Sequence, residues 1–454
     1  MSWDRTWPTQ VDVGVLDDAP LTRFGCIHWS SRHCAVRLER HHDSVEDSTM
    51  AGMPDVGHQS PPRRQLRPRF TSPLRSTALT ARIGRLVGIC FGICFVTGLL
   101  SHYQYQPWAW LPEPASPVWL YRSTQGLHVA TGIATIPLLL VKLWSVYPNL
   151  FRWPAVKSLK HAVERLSVFV LISSALLQLF TGFFNALNWY PWPWDFVMVH
   201  RFLAYVVIGS ILLHVGLKLP DIVYGLQARL PDADVLTEIP WDENPLAHSN
   251  AGDVPPPPTP ALSRRGVLVA AGAGIGAVVV TSVGHTVTPL EPVGLLAIRQ
   301  WNKGPQLVPV NKTAEEAGVL TTAQADSWQL QVAGPRAYTL TLADLDDLAQ
   351  AEADLPITCV EGWSVGAGWR GIQLLELVRR VGGDEGSRVQ VYSLEQSGSY
   401  TTSTVFGPQV SAALLATHLN GERLDIDHGY PLRLISPNRP GVLNTKWLRR
   451  VEVS

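Results

Sequence analysis

The chain has 454 residues, of which 37 are basic and 37 acidic, so its formal net charge is zero. This balance argues against a domain built to neutralise nucleic-acid phosphates, and five cysteines are too few for a disulfide-stapled scaffold. Only 16% of the residues are charged, while 17 are tryptophan. Such a composition indicates a membrane part joined to a soluble part.

The first half of the chain predicts an arm followed by a membrane domain. Residues 1–80 lack a sustained apolar period and end in the basic stretch PPRRQLRPRF, which is typical of a disordered arm beside a membrane. Four apolar segments follow at about 84–102, 125–146, 163–187 and 196–219. Each is long enough to cross a hydrocarbon core of about 30 Å. We therefore predict an all-α, lipid-embedded four-helix domain over residues 81–222.

The flanking charges predict the orientation of this domain. Arg82 and Arg85 precede the first segment, and several lysines and arginines surround the loop between the second and third segments. The other two loops are rich in tryptophan and hold only Arg122 as a basic residue. Since positive charge stays on the cytoplasmic side, the N-terminus is predicted to be cytoplasmic and the Trp-rich loops to face outward in the cell membrane.

A linker and a fifth helix come next. Residues 223–262 are polar and contain a run of prolines from Pro255 to Pro258, which predicts a stiff, solvated linker. Residues 263–288 begin with SRRGVLVAAG and continue as an apolar stretch. By the same charge rule, this stretch is expected to cross the membrane and leave residues 289–454 outside the cytoplasm.

Histidines within the apolar segments are candidate metal ligands, because ionisable groups at membrane depth are costly. His200 and His214 stand on the fourth segment, 14 residues apart, so their rings leave the same helix face about 21 Å apart along the axis. His128 on the second segment aligns with His200, and Thr97-Gly98 mirrors Thr181-Gly182, as in a repeat of two spans each.

We therefore predict that His128 and His200 bind the iron of an outer haem b, since imidazole is a common axial ligand. Hydrogen-bonded structural histidines are the alternative. His214 is a candidate ligand of a second, inner haem, with Lys142 or His161 as its partner, although Lys142 also fits a snorkelling side chain. The chain has no CxxCH motif for covalent haem. Residues 84–219 resemble bacterial membrane cytochrome b subunits, including the haem-bearing partner of the periplasmic methionine sulfoxide reductase.

The C-terminal residues predict a mixed domain with one unusual cysteine. QLQVAG, YTLTL, RVQVYSL and PLRLIS have the pattern of short strands, and IQLLELVRRVGG that of a helix ended by glycine. Cys359 is the one cysteine of residues 289–454. It could be a small buried residue, a nucleophile or a ligand of a soft metal.

Several motifs then point to one family. CVEGWS, GWRGI and HGYPLRLISPNRPGVLNTKWLRRVEV together resemble the molybdopterin domain of the sulfite oxidase family, and most closely the catalytic subunit of the periplasmic methionine sulfoxide reductase. The resemblance covers about residues 295–454. It implies an α+β molybdopterin-binding fold of sulfite oxidase type, and a molybdenum-molybdopterin cofactor whose metal is bound by the Cys359 thiolate.

The same resemblance implies further site residues. Those that would cradle the pterin and its phosphate are Asn311, His428, Arg433, Asn438, Arg439 and Lys446. Trp363, assigned here to the catalytic site, and Trp369 would shape the substrate pocket. The sequence has Gly362-Trp363-Ser364 where sulfite oxidases have an Asn-Arg pair, which argues against sulfite as the substrate. Arg264 and Arg265 fit either a twin-arginine export signal or ordinary positive flanking.

The resulting hypothesis is a membrane-bound molybdopterin-dependent oxidoreductase for oxygen-atom transfer. Electrons from a quinone or a flavoprotein would pass through haem b to the molybdenum site, where a small S-oxide, N-oxide or methionine sulfoxide-type substrate is reduced outside the cytoplasm. Two alternatives remain: oxidation of a small substrate with electrons moving inward, and an electron-transfer cytochrome b with a non-catalytic outer domain.

Overall fold

The structure is a computed structural model, and it describes residues 76–150, 158–192, 194–228, 264–283, 292–296 and 304–454. The predicted disordered arm lies outside the described residues except for its last five positions, and most of the predicted linker also lies outside them.

Four long helices form the N-terminal part. They are α1 (Thr77–Tyr105), α2 (Leu120–Leu150), α3 (Leu159–Ala186) and α4 (Phe196–Gln227). All four are long and apolar enough to cross a membrane, which confirms the four predicted segments. The side chains of Ser76, Ser158 and Asp195 accept hydrogen bonds from the first turns of α1, α3 and α4, so each of these helices begins at a conventional N-cap.

The helices pack as a bundle with an apolar centre. Helix α1 contacts α2 and α4, and α3 contacts α4 and α2. Ile83, Phe91, Leu138 and Val207 belong to the buried core. Many large apolar side chains remain exposed on the outside of the bundle. A bundle that is apolar inside and outside is typical of a membrane domain.

Helix α5 (Arg264–Val283) packs against α2, and its residues Leu268 and Ile275 contact the bundle core. Its apolar part, Leu268–Ser282, is shorter than the other four spans and covers only about 22 Å at 1.5 Å per residue. The predicted fifth helix is therefore present, while its crossing of the membrane stays a prediction.

The C-terminal part consists of short strands with a few helices. The predicted strands appear as β1 (Leu330–Ala333), β2 (Tyr338–Leu340), β5 (Val389–Ser393) and β9 (Arg433–Ile435). The predicted helix is α8 (Leu374–Val381), which ends at Gly382 with a φ of +100°, as a left-handed cap requires. The remaining elements are α6 (Leu320–Ala323), α7 (Leu342–Asp347), β3 (Ala351–Thr358), β4 (Ser364–Gln373), β6 (Thr402–Val405), α9 (Pro408–Ala412), β7 (Leu414–Leu419), β8 (Glu422–Arg423) and β10 (Leu448–Val453).

These strands form two sheets with a shared core. The first has the order β2-β1-β10-β5-β6, and the second has the order β3-β4-β7-β8. Strand β9 also pairs with β7, on the edge opposite β4. Ile372 and Leu415 of the second sheet belong to the same buried cluster as Val332 and Val451 of the first. A second cluster, which includes Cys359 and Trp363, also involves residues of β3, β4 and β7. The arrangement fits the α+β domain that we predicted.

Two glycines of β4 provide a test of this packing. A Cβ atom on Gly371 would lie 2.0 Å from the Leu415 carbonyl oxygen, whereas one on Gly366 would meet nothing within 4 Å. We expect Gly371→Ala to lower the free energy of unfolding by at least about 2 kcal/mol, because backbone must move. Gly366→Ala should leave it unchanged or slightly raised. Thermal unfolding of both variants measures the difference, and equal stabilities would contradict the β4–β7 register.

Candidate functional site

Cys359 lies in a tight loop between β3 and β4. Its backbone N–H donates to the Trp363 carbonyl at 2.9 Å, and the Gly362 N–H donates to the Cys359 carbonyl at 3.1 Å. Gly362 has a φ of +104°, a conformation that a residue with a Cβ rarely adopts. At the base of the loop, the hydroxyls of Thr358 and Ser364 are hydrogen-bonded at 2.7 Å. The thiol is therefore held by a rigid hairpin end, with Cys359 only 3% exposed.

A cavity beside this loop collects residues from four separate segments. It is lined by Pro309, Asn311, Ile357, Cys359, Trp363, His428, Arg433, Gly441 and Lys446. Six of these, namely Asn311, Cys359, Trp363, His428, Arg433 and Lys446, are residues that we predicted for the site. Cys359 and Lys446 are 87 positions apart in the sequence, so the fold brings the predicted residues together.

The cavity wall holds two cations, of which Arg433 is buried and Lys446 half-buried. Arg433 is 3% exposed, and burial lowers its pKa to about 9. Burial, and then the charge of Arg433, hold the pKa of Lys446 well below its usual range. Gly429 lets them come close, because a Cβ there would lie 3.1 Å from the Cβ of Lys446 and 3.2 Å from that of Arg433. Two like charges held together in such a wall are unfavourable unless an anion joins them.

The polar contacts at these cations are incomplete. Arg433 donates through Nη1 to the His428 carbonyl at 3.0 Å, but its buried Nε has no hydrogen-bond partner among the described residues. Lys446 donates to the carbonyls of Lys312 and Asp427 at 2.7 and 2.8 Å. A buried guanidinium with an unsatisfied donor, next to an ammonium and a thiol, fits a ligand that carries phosphate and a soft metal.

His428 is a neutral donor in this wall. Its Nε2 lies 2.7 Å from the Pro305 carbonyl oxygen, so this nitrogen carries the proton. Burial, followed by the charge of Arg433, lowers its pKa to about 4. Together, Cys359 would bind molybdenum, and Arg433, Lys446, Asn311 and His428 would hold the pterin and its phosphate. When bound, this cofactor supplies two-electron oxygen-atom transfer.

Three predicted site residues lie outside the lining of this cavity. The side chains of Asn438 and Arg439 contact the loop between α1 and α2. Trp369 is 1% exposed, donates to the Leu355 carbonyl and packs its ring against the Arg433 guanidinium, 5.6 Å from the ring centroid. Glu361 was missed: it is buried two residues after Cys359 and accepts a hydrogen bond from Trp363 Nε1 at 3.0 Å.

The bundle brings the rings of His128 and His200 together in an edge-to-face arrangement. Their ring centroids are 6.4 Å apart, with an angle of 71° between the ring planes. His128 Nδ1 lies 2.9 Å from the Cys94 carbonyl oxygen, and His200 Nδ1 lies 2.8 Å from the Thr181 hydroxyl. Since Thr181 donates its own proton to the Gln178 carbonyl, it accepts from His200. In both rings the lone pair is therefore on Nε2.

The predicted Thr-Gly repeat has a structural role in both halves. The Thr97 hydroxyl lies 3.1 Å from His128 Nδ1, and the Thr181 hydroxyl lies 2.8 Å from His200 Nδ1. A Cβ on Gly98 would lie 3.2 Å from His128 Cε1, and one on Gly182 the same distance from His200 Cε1. Each threonine thus orients a ring, and each glycine leaves space for it. The two halves of the bundle are equivalent at this level.

The predicted inner pair is less well formed. His214 shares the bundle-facing side of α4 with His200 and Val207, as its spacing predicted. Lys142 donates to the Thr80 carbonyl at 2.8 Å, so its ammonium group is held against the first turn of α1. His161 lies 3.4 Å from Arg165 Nε. A second haem at His214 stays a prediction.

The cysteine loop lies directly on the membrane bundle. The Val360 carbonyl accepts hydrogen bonds from Gln125 Nε2 of α2 at 2.9 Å and from Asn185 Nδ2 of α3 at 3.2 Å. A Cβ on Gly362 would lie 2.7 Å from Val129 Cγ2, so this glycine allows contact with the residue next to His128. Neither Gln125 nor Asn185 was predicted, because their partner is distant in sequence.

The fold and the cavity define a molybdopterin-binding oxidoreductase domain joined to a bundle of apolar helices. Residues 317–454 match the family described as oxidoreductase molybdopterin binding domain. This confirms the predicted resemblance to the sulfite oxidase family and the predicted class of enzyme.

Three relatives illustrate the match. Sulfite oxidase of Gallus gallus is 31% identical over 163 residues, which are 29% of this chain and 36% of that protein. The uncharacterised oxidoreductase YuiH of Bacillus subtilis is 30% identical, over 28% of this chain and 64% of YuiH. YedZ1 of Azospira oryzae, a subunit named for protein-methionine-sulfoxide reductase, is 29% identical, over 29% of this chain and half of YedZ1. The chain thus spans less than two thirds of each relative.

The two cations of the cavity wall generate a prediction about cofactor retention. We expect Arg433→Gln and Lys446→Gln each to reduce the molybdenum content of the purified protein about tenfold or more, since each removes a charge-assisted contact to an anion. Arg379→Gln, which breaks an exposed pair with Glu385 on α8, is the control. Elemental analysis reports the molybdenum per chain, and unchanged content in both cavity variants would show that the cations do not hold the cofactor.

A second prediction concerns pH. The pKa of His428 falls from 6.5 to about 4 in the folded protein, so below pH 6.5 the unfolded chain binds a proton that the folded chain does not. We expect the cofactor-free protein to lose about 3 kcal/mol of stability between pH 6.5 and 4 through this residue. Denaturant unfolding across that range measures the slope. A His428→Gln variant should lack this component; an identical slope would refute the assignment.

Proposed function

We propose that the chain is a membrane-bound molybdopterin oxidoreductase that carries its own electron conduit. In this proposal, a haem b held by His128 and His200 exchanges electrons with the site at Cys359. The observation that carries it is the contact of the cysteine loop with the bundle: the Val360 carbonyl is bound by α2 and α3, and Gly362 touches Val129, the neighbour of His128.

The separation of the two histidine rings supports a shared metal ion. A metal–imidazole bond is about 2.0–2.1 Å long, and a ring nitrogen lies about 1.1 Å from the ring centroid. The ring centroids of His128 and His200 are 6.4 Å apart, so both rings would be close enough to hold one haem iron. The hydrogen bonds at both Nδ1 atoms leave Nε2 as the ligand atom, as is usual for metal-bound histidine.

Gln178 has to move for this ligation to occur. Its Nε2 lies 2.9 Å from His200 Nε2, so it donates to the lone pair that would bind iron. Its buried Oε1 has no hydrogen-bond partner among the described residues, so the amide is only partly satisfied where it lies. Rotation of this one side chain would expose the His200 lone pair to the space facing His128.

The reaction that we propose is reduction of an S-oxide or N-oxide: the substrate, two electrons and two protons give the reduced substrate and water. A quinone or a flavoprotein is the proposed electron donor. The cavity wall of this chain would orient the substrate through Trp363, whose indole Nε1 is fixed by Glu361. YedZ1 is named as a putative subunit of a protein-methionine-sulfoxide reductase. Methionine sulfoxide is therefore the first substrate to test.

We also propose that the cavity lies outside the cytoplasm. The loop between α1 and α2 and the end of α3 both contact the C-terminal domain, so the Trp-rich side of the bundle and this domain are on one side. The positive-inside rule assigns that side to the exterior. Whether export uses Arg264 and Arg265 as a twin-arginine signal is a further part of the proposal.

The test combines a spectrum with a single turnover. Purified protein should show a low-spin b-type spectrum that is lost in His128→Ala and in His200→Ala, because each removes an axial ligand. His214→Ala is the matched control and should keep the outer haem. In wild type, dithionite-reduced haem should be reoxidised by methionine sulfoxide. Cys359→Ser should keep the haem spectrum and lose this reoxidation.

Two results would overturn the proposal. A b-type spectrum that is as strong in both histidine variants as in wild type would refute the outer haem. Reduction of the oxidised haem by sulfite, without reoxidation by methionine sulfoxide, would establish the opposite direction of electron flow and support oxidation of a small substrate.

A further inference from the structure

The segment that follows β9 has side chains that reach two different places. Lys446 lines the cavity, whereas Asn438 and Arg439 extend to the loop between α1 and α2, residues 106–119, which we call the docking loop. Both residues are buried, at 3% and 4% exposure. The same stretch of chain therefore contacts the cofactor cavity and the membrane domain.

Asn438 makes three side-chain hydrogen bonds to the membrane domain. Its Nδ2 donates to the carbonyls of Pro114 and Pro117 at 3.1 and 2.6 Å, and its Oδ1 accepts from the Tyr121 N–H at 3.3 Å. Helix α2 begins at Leu120, so the Tyr121 N–H is one of the donors that a helix cannot satisfy internally. Asn438 thus caps, from another domain, the helix that carries His128 two turns further on.

Arg439 makes the second part of the contact. Its Nε lies 3.1 Å from Glu113 Oε2 of the docking loop, and the side chains are 2% and 3% exposed. Its Nη2 donates to the Thr404 carbonyl of β6 at 2.8 Å. Gln409 joins the two sides as well, since its Nε2 donates to the carbonyls of Pro114 and Pro437 at 3.3 and 3.0 Å.

The ion pair is poorly suited to a purely stabilising role. Burial raises the pKa of Glu113 to about 7 despite the nearby arginine, and burial lowers the pKa of Arg439. Desolvation therefore outweighs the mutual attraction of the two groups, as is common for buried pairs. What such a pair provides is geometry, because neither charge can leave its partner without a large penalty.

We propose that Asn438 and Arg439 are positioning residues that clamp the docking loop and the start of α2 to the cofactor-binding segment. The clamp would fix the spacing between His128 and the Cys359 loop, and so set the rate of electron transfer between the bundle and the cavity. This inference rests on the proposed function. The Val360 contacts anchor one side of the junction, and the clamp anchors the other.

The test separates electron transfer from chemistry at the cavity. Glu113→Gln should slow the reoxidation of reduced haem by methionine sulfoxide about tenfold or more, since an uncompensated buried charge favours undocking. Sulfoxide reduction driven by reduced benzyl viologen, which reaches the cavity from solution, should be unchanged, as should molybdenum content and the haem spectrum. Glu376→Gln, which breaks an exposed Glu–Arg pair of similar length on α8, is the control.

A double-mutant cycle checks that the pair is the cause. Replacing both Glu113 and Arg439 by glutamine removes both charges, so the double variant should transfer electrons faster than Glu113→Gln alone. Hydrogen exchange at Tyr121 N–H, which depends on neither cofactor, should speed up in Glu113→Gln and return towards wild type in the double variant.

Each outcome has one meaning. Unchanged haem reoxidation and unchanged exchange at Tyr121 in Glu113→Gln would overturn the positioning role. A parallel loss of dye-driven turnover or of molybdenum would also overturn it, because the pair would then serve the fold or cofactor retention. If wild-type haem is not reoxidised at all while dye-driven turnover persists, the proposed function fails, and faster Tyr121 exchange still supports the clamp itself.

Discussion

The hydrogen bonds to the Val360 carbonyl connect the two halves of this protein. A carbonyl next to the candidate metal-ligand cysteine has to find donors, and here the donors are side-chain amides from two apolar helices. Because Gln125 stands three residues before His128 on α2, one turn of helix transmits the position of the cysteine loop to the histidine. The relative placement of the two candidate redox sites therefore depends on side-chain amides of two helices that bind one main-chain carbonyl.

Burying charged side chains costs free energy, and the charges at the cavity and at the docking loop are compensated in different ways. At the cavity, Arg433 and Lys446 both line the wall, and Arg433 makes no ion pair among the described residues, so an external anion is a natural counter-charge. At the docking loop, Arg439 meets Glu113, and the charges balance within the chain. All three cations lie between positions 433 and 446. Only Arg433 and Lys446 are available to a ligand in the cavity.

Local sequence pattern was sufficient for the elements, and motif resemblance was sufficient to choose residues that the fold brings to one cavity. Spans, strands and the helix ended by Gly382 follow from periodicity and turn residues. Cys359, Arg433 and Lys446 follow from motif resemblance, because a soft-metal ligand and phosphate-binding cations are recognisable residue types. The Thr-Gly repeat was also visible, since both halves of the bundle solve the same problem of orienting a ring against a close helix.

The same reasoning failed where a residue's partner lies in the other domain. Asn438 and Arg439 have the donors that suit a phosphate and stand in the segment that resembles the family's pterin-binding motif, so the resemblance assigned them to the cofactor. Their actual partners, Pro117 and Glu113, stand more than 300 positions away.

The polar character of the junction follows from its being part of one chain. Two separate proteins need apolar area to offset the loss of translational freedom on binding. Domains joined by a linker meet at an effective concentration that can reach the millimolar range, so little intrinsic affinity is required. The polar contacts can then determine the relative orientation of the two domains. Asn438 caps α2 and Arg439 pairs with Glu113, and both contacts require the same relative position of the domains. Such a junction can have a low intrinsic affinity, but the relative position of the two domains has to be kept. The proposed path for electrons requires this, because it joins two fixed sites.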